Sequence, residues 1–530
     1  MAKKQTARTV AESKSSKNIS LFPFFSSQLQ HPFAGAVIAA AYLLGILYLG
    51  LTYHLVGDYN VETDFFQSYV PMAKDILRGI WTIEEFRGPG YPMVLALFGS
   101  VFGNFFTAGV IASAVTASLT LFFTFEVLKK LFRSDLALVV VLLTGLNQTF
   151  VQYAYTAGTD MTFNCFTSAA VYFLLKSERV SAVNIILAAL ASALAYLTRY
   201  NGIVVLVAVP VMIAAFNIYD IPVKQRLQMS GLFLLGFFLS ISPWGIYCWT
   251  ERGSFFYNKN YLNIAYEMFA KGKMGWDQYW NVESTKYHSL GQVIFADPGL
   301  FVSTVFGNLF EHLKNDLTKL TVWGIGLCFG ISAVGLWKNR PNRRQGAYFA
   351  FGALMFSVLL LVFYGERFSM FLLPIYASFG LSMLLWDRWK SVPFFNGTII
   401  SLVLIVWTFA ASYDFNKVNI DSGPKEIKVI ADWFNANVKD TDESKIIVCR
   451  KPHIAFYTNK TMKYFPYVNS FDALEQEVKK LNASYFFYGI FEANMRPEFQ
   501  SLLDPSKAPA WLEPITYTVN PPSVLYRVKK

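Results

Sequence analysis

The chain has 530 residues, 54% of them hydrophobic and 15% charged, against roughly 25% charged in an ordinary soluble protein, and that excludes a soluble enzyme. The net charge of +11 would suggest nucleic acid in a soluble chain. Here the basic residues gather in short loops between apolar runs, which is a membrane-topology signal, so no nucleic-acid partner is expected.

The first 31 residues read as a basic cytosolic tail, with Lys3, Lys4, Arg8, Lys14 and Lys17 ahead of a retained first span. If that tail is inside, Gly57 to Gly90 lies outside. The stretch from Tyr91 to Leu128 breaks at Gly103-Asn104. Counting it as one span, with Tyr91 to Phe102 along the interface, keeps Lys129, Lys130 and Arg133 inside, as the positive-inside rule prefers. The same parity then places Lys176 and Arg179, Lys224 and Arg226, Lys338 with Arg340, Arg343 and Arg344, and Arg388 with Lys390 on the inner side.

This predicts a polytopic α-helical membrane protein with about eleven spans, near 33–56, 105–128, 137–153, 161–176, 182–197, 202–217, 229–248, 322–337, 346–364, 369–386 and 395–412. The membrane domain covers 32–412, with outer loops at 57–104 and 249–321, the second long enough to need helices of its own. Residues 413–530 read as a small extracytoplasmic α/β domain. Its signals are helices at Glu426 to Val438 and Phe471 to Leu481, and strands at Lys445 to Cys449, Tyr485 to Tyr488 and Val524 to Val528. A multi-pass protein of a bacterial inner membrane is expected, with its C-terminal domain periplasmic.

Charge inside a bilayer is costly, about 2.5–3.5 kcal/mol per group at a span's centre, so its placement is informative. Asp58, Glu62, Asp64, Arg87, Asp160, Arg199, Glu251, Arg252, Glu366 and Arg367 all fall at outer span ends or in the first outer loop. A transporter or lipid flippase with an outer binding domain, the alternative from another class, would string such groups through span centres, which here are nearly free of them. A half-buried outer cavity holding both carboxylates and guanidiniums suits phosphate binding by arginine and proton acceptance by a carboxylate. A lipid phosphate bearing a transferable group fits it.

At these residues the chain resembles the membrane glycosyltransferases of the GT-C fold, in the glycosyltransferase family 39-like branch of protein O-mannosyltransferases and the lipid A aminoarabinose transferase. The resemblance rests on Thr63-Asp64-Phe65-Phe66-Gln67-Ser68-Tyr69 with Ala73 and Gly79, and on Phe86-Arg87-Gly88-Pro89-Gly90-Tyr91-Pro92. It continues through Tyr155-Thr156-Ala157-Gly158-Thr159-Asp160, Leu197-Thr198-Arg199, Ser242-Pro243-Trp244 and Glu366-Arg367-Phe368 with Pro374. It implies inverting transfer of a hexosyl or pentosyl group from a polyprenyl-phosphate sugar to a hydroxyl or amine of a glycan, lipid or protein acceptor among membrane lipids.

The resemblance also implies a first-loop aspartate, Asp64, as general base; a helix N-cap before Phe65 is the competing role. The family often pairs acids in this loop, whereas the nearest acid here is Glu62, so Asp58 and Glu62 stay as alternatives. Arg87, Arg199 and Arg367 are the expected phosphate ligands. Against that, Arg87 could anchor to headgroups, Arg199 could pair with Asp160, and Arg367 could pair with Glu366. Glu62, Tyr69, Asp160, Tyr200 and Glu366 are expected to support the site. No cofactor is required of this chemistry, and a divalent metal would find only Asp64 and Asp160. Tyr257, Tyr261, Tyr266, Trp276, Trp280 and Tyr287 could stack on sugar or form an interfacial belt.

Overall fold

Apolar runs become helices in every segment where a span is expected. The computed structural model describes residues 21, 26–386 and 396–529; Lys3, Lys4, Arg8, Lys14 and Lys17, together with Arg388 and Lys390, lie outside the described residues. The membrane part begins with α1 (Ala34–Tyr53), a turn of π-helix at Phe65–Tyr69, and α2 (Val70–Leu77). Next come α3 (Gly90–Phe102), α4 (Phe105–Leu131), α5 (Ser134–Gly145), α6 (Gln148–Tyr155), α7 (Thr159–Leu175) and α8 (Ala182–Thr198). The chain continues through α9 (Val205–Pro210), α10 (Val223–Arg252), α11 (Pro298–Asn315), α12 (Gly324–Gly335), α13 (Arg343–Leu359), α14 (Glu366–Leu385) and α15 (Gly397–Asp421).

Among the described residues, five helical stretches are long and apolar enough to cross a bilayer, or up to seven if each of two bent pairs is one span. The other expected spans are helices shorter than the ~20 residues that cover ~30 Å of hydrocarbon. The expected straight span at 137–153 is instead two helices, α5 and α6, bent by 65°. Asn147 makes the break, its side-chain oxygen capping the new helix by accepting from Thr149 N at 3.0 Å. The region 249–321, expected as an outer loop with short helices, contains the long helix α11, which meets the short helix Leu290–Ala296 at 97°.

Two helices are mostly enclosed, α14 with 78% and α4 with 67% of the apolar stretch buried, against 22% for α1; α4 packs on α1, α3, α5, α6 and α7. Its inner face is a run of small residues, including Ala108, Gly109, Ala112, Ser113, Ala114 and Ala117. Small side chains let neighbouring backbones approach, which is how helices associate in lipid, where apolar surface gains little from leaving the solvent. As expected, α3 forms a separate helix before α4. It buries Tyr91, Leu95 and Ala96 and leaves Met93, Leu97, Val101 and Phe102 exposed.

The C-terminal part follows α16 (Lys425–Asn437). The expected boundary at 412 falls inside α15, which continues to Asp421 past the end of its apolar run. Five strands pair in the order β2-β1-β3-β5-β4: β1 (Ile446–Cys449), β2 (Thr461–Tyr464), β3 (Tyr485–Gly489), β4 (Leu512–Val519) and β5 (Pro522–Val528). β1 lies parallel to both β2 and β3, while β5 is antiparallel to β3 and β4. The crossovers are α17 (His453–Tyr457) and α18 (Phe471–Lys480), and α19 (Ile490–Met495) follows β3.

Candidate active site

The loop after α1 is built around one buried carboxylate. Glu62 is 0% exposed and accepts from Asp58 N at 2.7 Å, His54 Nε2 at 2.8 Å and Ala157 N at 2.6 Å. All three donors are spent on holding the loop against α1 and the Ala157-Gly158 turn, so Glu62 has no route to a substrate. The Asp58 side chain is likewise spent locally, accepting from Asn60 N and Val61 N at 2.6 and 2.9 Å. Glu62→Gln should therefore lower thermal stability, because an amide can oppose only part of this donor set and each stranded donor costs about 1–3 kcal/mol. A melting curve of the detergent-solubilised protein checks it; an unchanged midpoint would contradict this role.

Asp64 differs from both. It makes no capping hydrogen bond, its carboxyl is 40% exposed, and it is ion-paired with Arg87. Arg87 also holds Glu84 at 2.7 Å and lies 5.8 Å from the Tyr69 ring centroid. Burial alone would raise the Asp64 carboxyl, but the guanidiniums of Arg87, Arg367 and Arg199 outweigh it and hold its pKa below the usual carboxylate value. The Asp64 carboxylate is thus charged throughout the neutral range and protonates only at acid pH. Replacing Arg87 with Met should move the acid limb of turnover to higher pH, read from initial rates across pH; an unmoved limb would contradict it.

Arg87 is placed by its neighbours. A Cβ on Gly88 would stand 2.1 Å from the Leu197 carbonyl oxygen, and one on Gly90 would stand 2.6 Å from Thr198 N. The glycines therefore serve close packing of this turn on the end of α8, the segment that leads into Arg199, and the close approach is to backbone of the chain itself. Tyr200 braces the same turn, its hydroxyl donating to the Arg87 carbonyl at 3.5 Å and accepting from Trp244 Nε1 at 3.4 Å.

Arg199 is paired with Asp160 at the start of α7. Its guanidinium also lies 5.2 Å from the Phe368 ring centroid, and Arg367 lies 4.8 Å from the same ring. The expected Arg367–Glu366 ion pair does not form. Glu366 instead accepts from Thr149 Oγ1 at 3.3 Å, and among the described residues no carboxylate lies within 4 Å of Arg367. Sequence neighbours on a helix point apart, which is why adjacency misled here. Arg367 lines a cavity of about 320 Å³ together with Thr149, Tyr153, Lys319, Tyr364 and Glu366.

Two groups in this region were not legible as site residues. Lys319, just ahead of an apolar run, shares the cavity with Arg367. Lys451, in the C-terminal domain, donates to the Tyr59 carbonyl at 2.6 Å and to Thr63 Oγ1 at 3.0 Å. The aromatic loop forms a small core of its own. Tyr266 packs edge-on against Trp276, Tyr279 and Phe363, and Trp280 reaches Phe86 beside Arg87. Asp64 and Asp160, the carboxylates named for a metal, each hold an arginine, and among the described residues no group of three or more His, Cys, Asp or Glu gathers at one point.

The chain shares its fold with known proteins. Residues 87–247 match the family described as dolichyl-phosphate-mannose-protein mannosyltransferase. No curated protein matches the sequence. Among solved structures, the apo form of ArnT from Cupriavidus metallidurans is similar with a TM-score of 0.58 at 13% identity, over 93% of this chain and 97% of that one. The same protein bound to undecaprenyl phosphate gives 0.57 at 12% identity, over 94% and 98%. The Archaeoglobus fulgidus oligosaccharyltransferase AglB, in complex with an inhibitory peptide and a dolichol-phosphate, gives 0.55 at 11% identity, over 96% and 75%. At these identities the likeness is one of fold, and that fold is GT-C.

Proposed function

We propose that this chain, which has the GT-C membrane glycosyltransferase fold, transfers a sugar from a polyprenyl-phosphate donor to an acceptor hydroxyl or amine on the outer face of the membrane. One observation carries the reading: the loop after α1, the end of α8 and the start of α14 bring Asp64 onto Arg87 and bring Arg199 and Arg367 onto the Phe368 ring, with all three guanidiniums near enough to lower the Asp64 carboxyl. The undecaprenyl phosphate bound in the similar ArnT structure and the dolichol-phosphate bound in that of AglB support a lipid-phosphate donor.

In the reaction, an acceptor oxygen or nitrogen attacks the anomeric carbon and Asp64 takes its proton. The bond from that carbon to the phosphate oxygen breaks, and its electron pair leaves with the lipid phosphate, whose charge Arg367, Arg199 and Arg87 stabilise. Displacement from the face opposite the leaving group inverts the anomeric centre. A phosphate that draws Arg87 toward itself also loosens its hold on Asp64, which makes the carboxylate a stronger base when donor is bound. These steps call on no cofactor. Eleven spans, an inside N-terminus and an outer C-terminal domain in a bacterial inner membrane complete the proposal, and the inner-side basic loops support that orientation.

The test is incubation of purified protein with a panel of radiolabelled prenyl-phosphate sugars and membrane extracts. One donor should yield labelled product with stoichiometric release of lipid phosphate. Movement of intact donor across the bilayer without release would favour the flippase alternative.

A further inference from the structure

In an open α/β sheet, ligands settle in the crevice beyond the carboxyl ends of two adjacent parallel strands whose crossovers leave in opposite directions. In the C-terminal domain that crevice lies between β1 and β3, beside Arg450, Lys451 and Gly489. The first outer loop fills it. The Tyr59 ring packs 4.9 Å from His453 and 5.3 Å from Phe491, and its hydroxyl donates to Glu426 at 3.3 Å. Beside that ring, the Lys451 ammonium lies 4.7 Å from the Phe491 centroid and donates to the Tyr59 carbonyl and to Thr63 Oγ1. The Thr63 hydroxyl donates to the same carbonyl. Ammonium, hydroxyl and carbonyl close a small ring one residue before Asp64.

We infer that Lys451 is a positioning residue for Asp64: the C-terminal domain reaches into the active site and fixes the turn that carries the base. This rests on the reading of Asp64 as base. Docking of the domain does not depend on Lys451. Gly57 N donates to the Tyr457 hydroxyl at 3.1 Å, His453 Nε2 to the Asp58 carbonyl at 3.1 Å, and Phe66 packs 4.5 Å from Phe456. Arg450 separately pairs with Asp277 at 2.7 Å. Lys451 is the contact that touches the residue adjoining the base, and its ammonium, partly withdrawn from solvent, is a costly choice for mere adhesion. Burial and the neighbouring Arg450 bring its pKa down to about 8, opposed by Asp64, Asp58 and Glu492, so at neutral pH it remains charged and able to donate.

The test uses the full-length protein with Lys451→Met and Lys451→Arg, reading turnover and amide hydrogen exchange together. Loss of a charge-assisted bond that orients a base should lower kcat of Lys451→Met roughly tenfold or more while KM for the lipid donor stays within about twofold. Amides of residues 58–64 should exchange at least about tenfold faster, those of α17 should not change, and Lys451→Arg should recover most of both. Two results overturn the inference: turnover and exchange within about twofold of the parent, or exchange that rises equally across α17, which would make Lys451 an ordinary docking residue. If instead Asp64→Asn retains turnover, the function proposed above fails, and exchange at 58–64 still decides whether Lys451 holds the turn.

Discussion

Asp64→Asn should insert normally, bind the lipid donor as the parent does, and transfer sugar about 10²–10⁴-fold more slowly, the usual worth of a positioned general base. Asparagine keeps the side chain's shape and one oxygen for Arg87, so Arg87, Arg199 and Arg367 should stay in place while proton acceptance is lost. Single-turnover transfer with pre-bound donor reads the chemical step, and donor titration reads binding. The discriminating contrast is with Glu62→Gln, which should lose stability, because Glu62 is sealed by three donors whereas the Asp64 carboxyl is open at the site. Full turnover by a well-inserted Asp64→Asn protein would refute the assignment.

Arg367→Met should weaken binding of a prenyl phosphate roughly 10–100-fold, since hydrogen bonds to charged groups contribute about 1.5–3 kcal/mol. Arg367→Lys should recover part of the charge but not a bidentate contact. The reason to place Arg367 first is its lack of a carboxylate partner among the described residues. Arg87 and Arg199 each hold an aspartate, so a phosphate must compete with an existing ion pair to engage them. Lys319→Met, removing the second cation of the cavity, should cost less, because a flexible ammonium contributes a point charge without fork geometry. Equal affinity in the parent and Arg367→Met proteins, by direct titration, would contradict this ranking.

What could be read from the sequence follows from what each signal depends on. Runs such as Phe105 to Leu128 announce helices through hydropathy alone, and each expected apolar segment is helical. The bend at Asn147 is marked locally by Thr144-Gly145 and Asn147-Gln148-Thr149, a polar interruption that averaging hydropathy over 137–153 smooths away. In the C-terminal domain, α16, α18, β1, β3 and β5 are apolar or strongly amphipathic and stood out. β2 and β4, edge strands with exposed residues such as Lys463 and Glu513, lack the contrast that would mark them.

At the site, the gathering of acids and arginines at expected outer span ends was legible because charge at a membrane margin is rare. The pairings were not. Arg367 looked like the partner of Glu366 by adjacency, yet the two side chains serve different neighbours. The N-cap that competed as a role for Asp64 is not made, and its carboxylate faces Arg87 instead. Lys451 and Thr63, 388 positions apart, carry no shared local pattern, and only the fold brings them together.

The most direct test of the whole account is a structure of the protein with a bound prenyl-phosphate sugar. The account predicts phosphate density in the cavity beside Lys319 and Arg367, within about 3 Å of the Arg367 guanidinium nitrogens, with the anomeric carbon turned toward Asp64. Phosphate bound at another site, or an anomeric carbon shielded from Asp64, would contradict it.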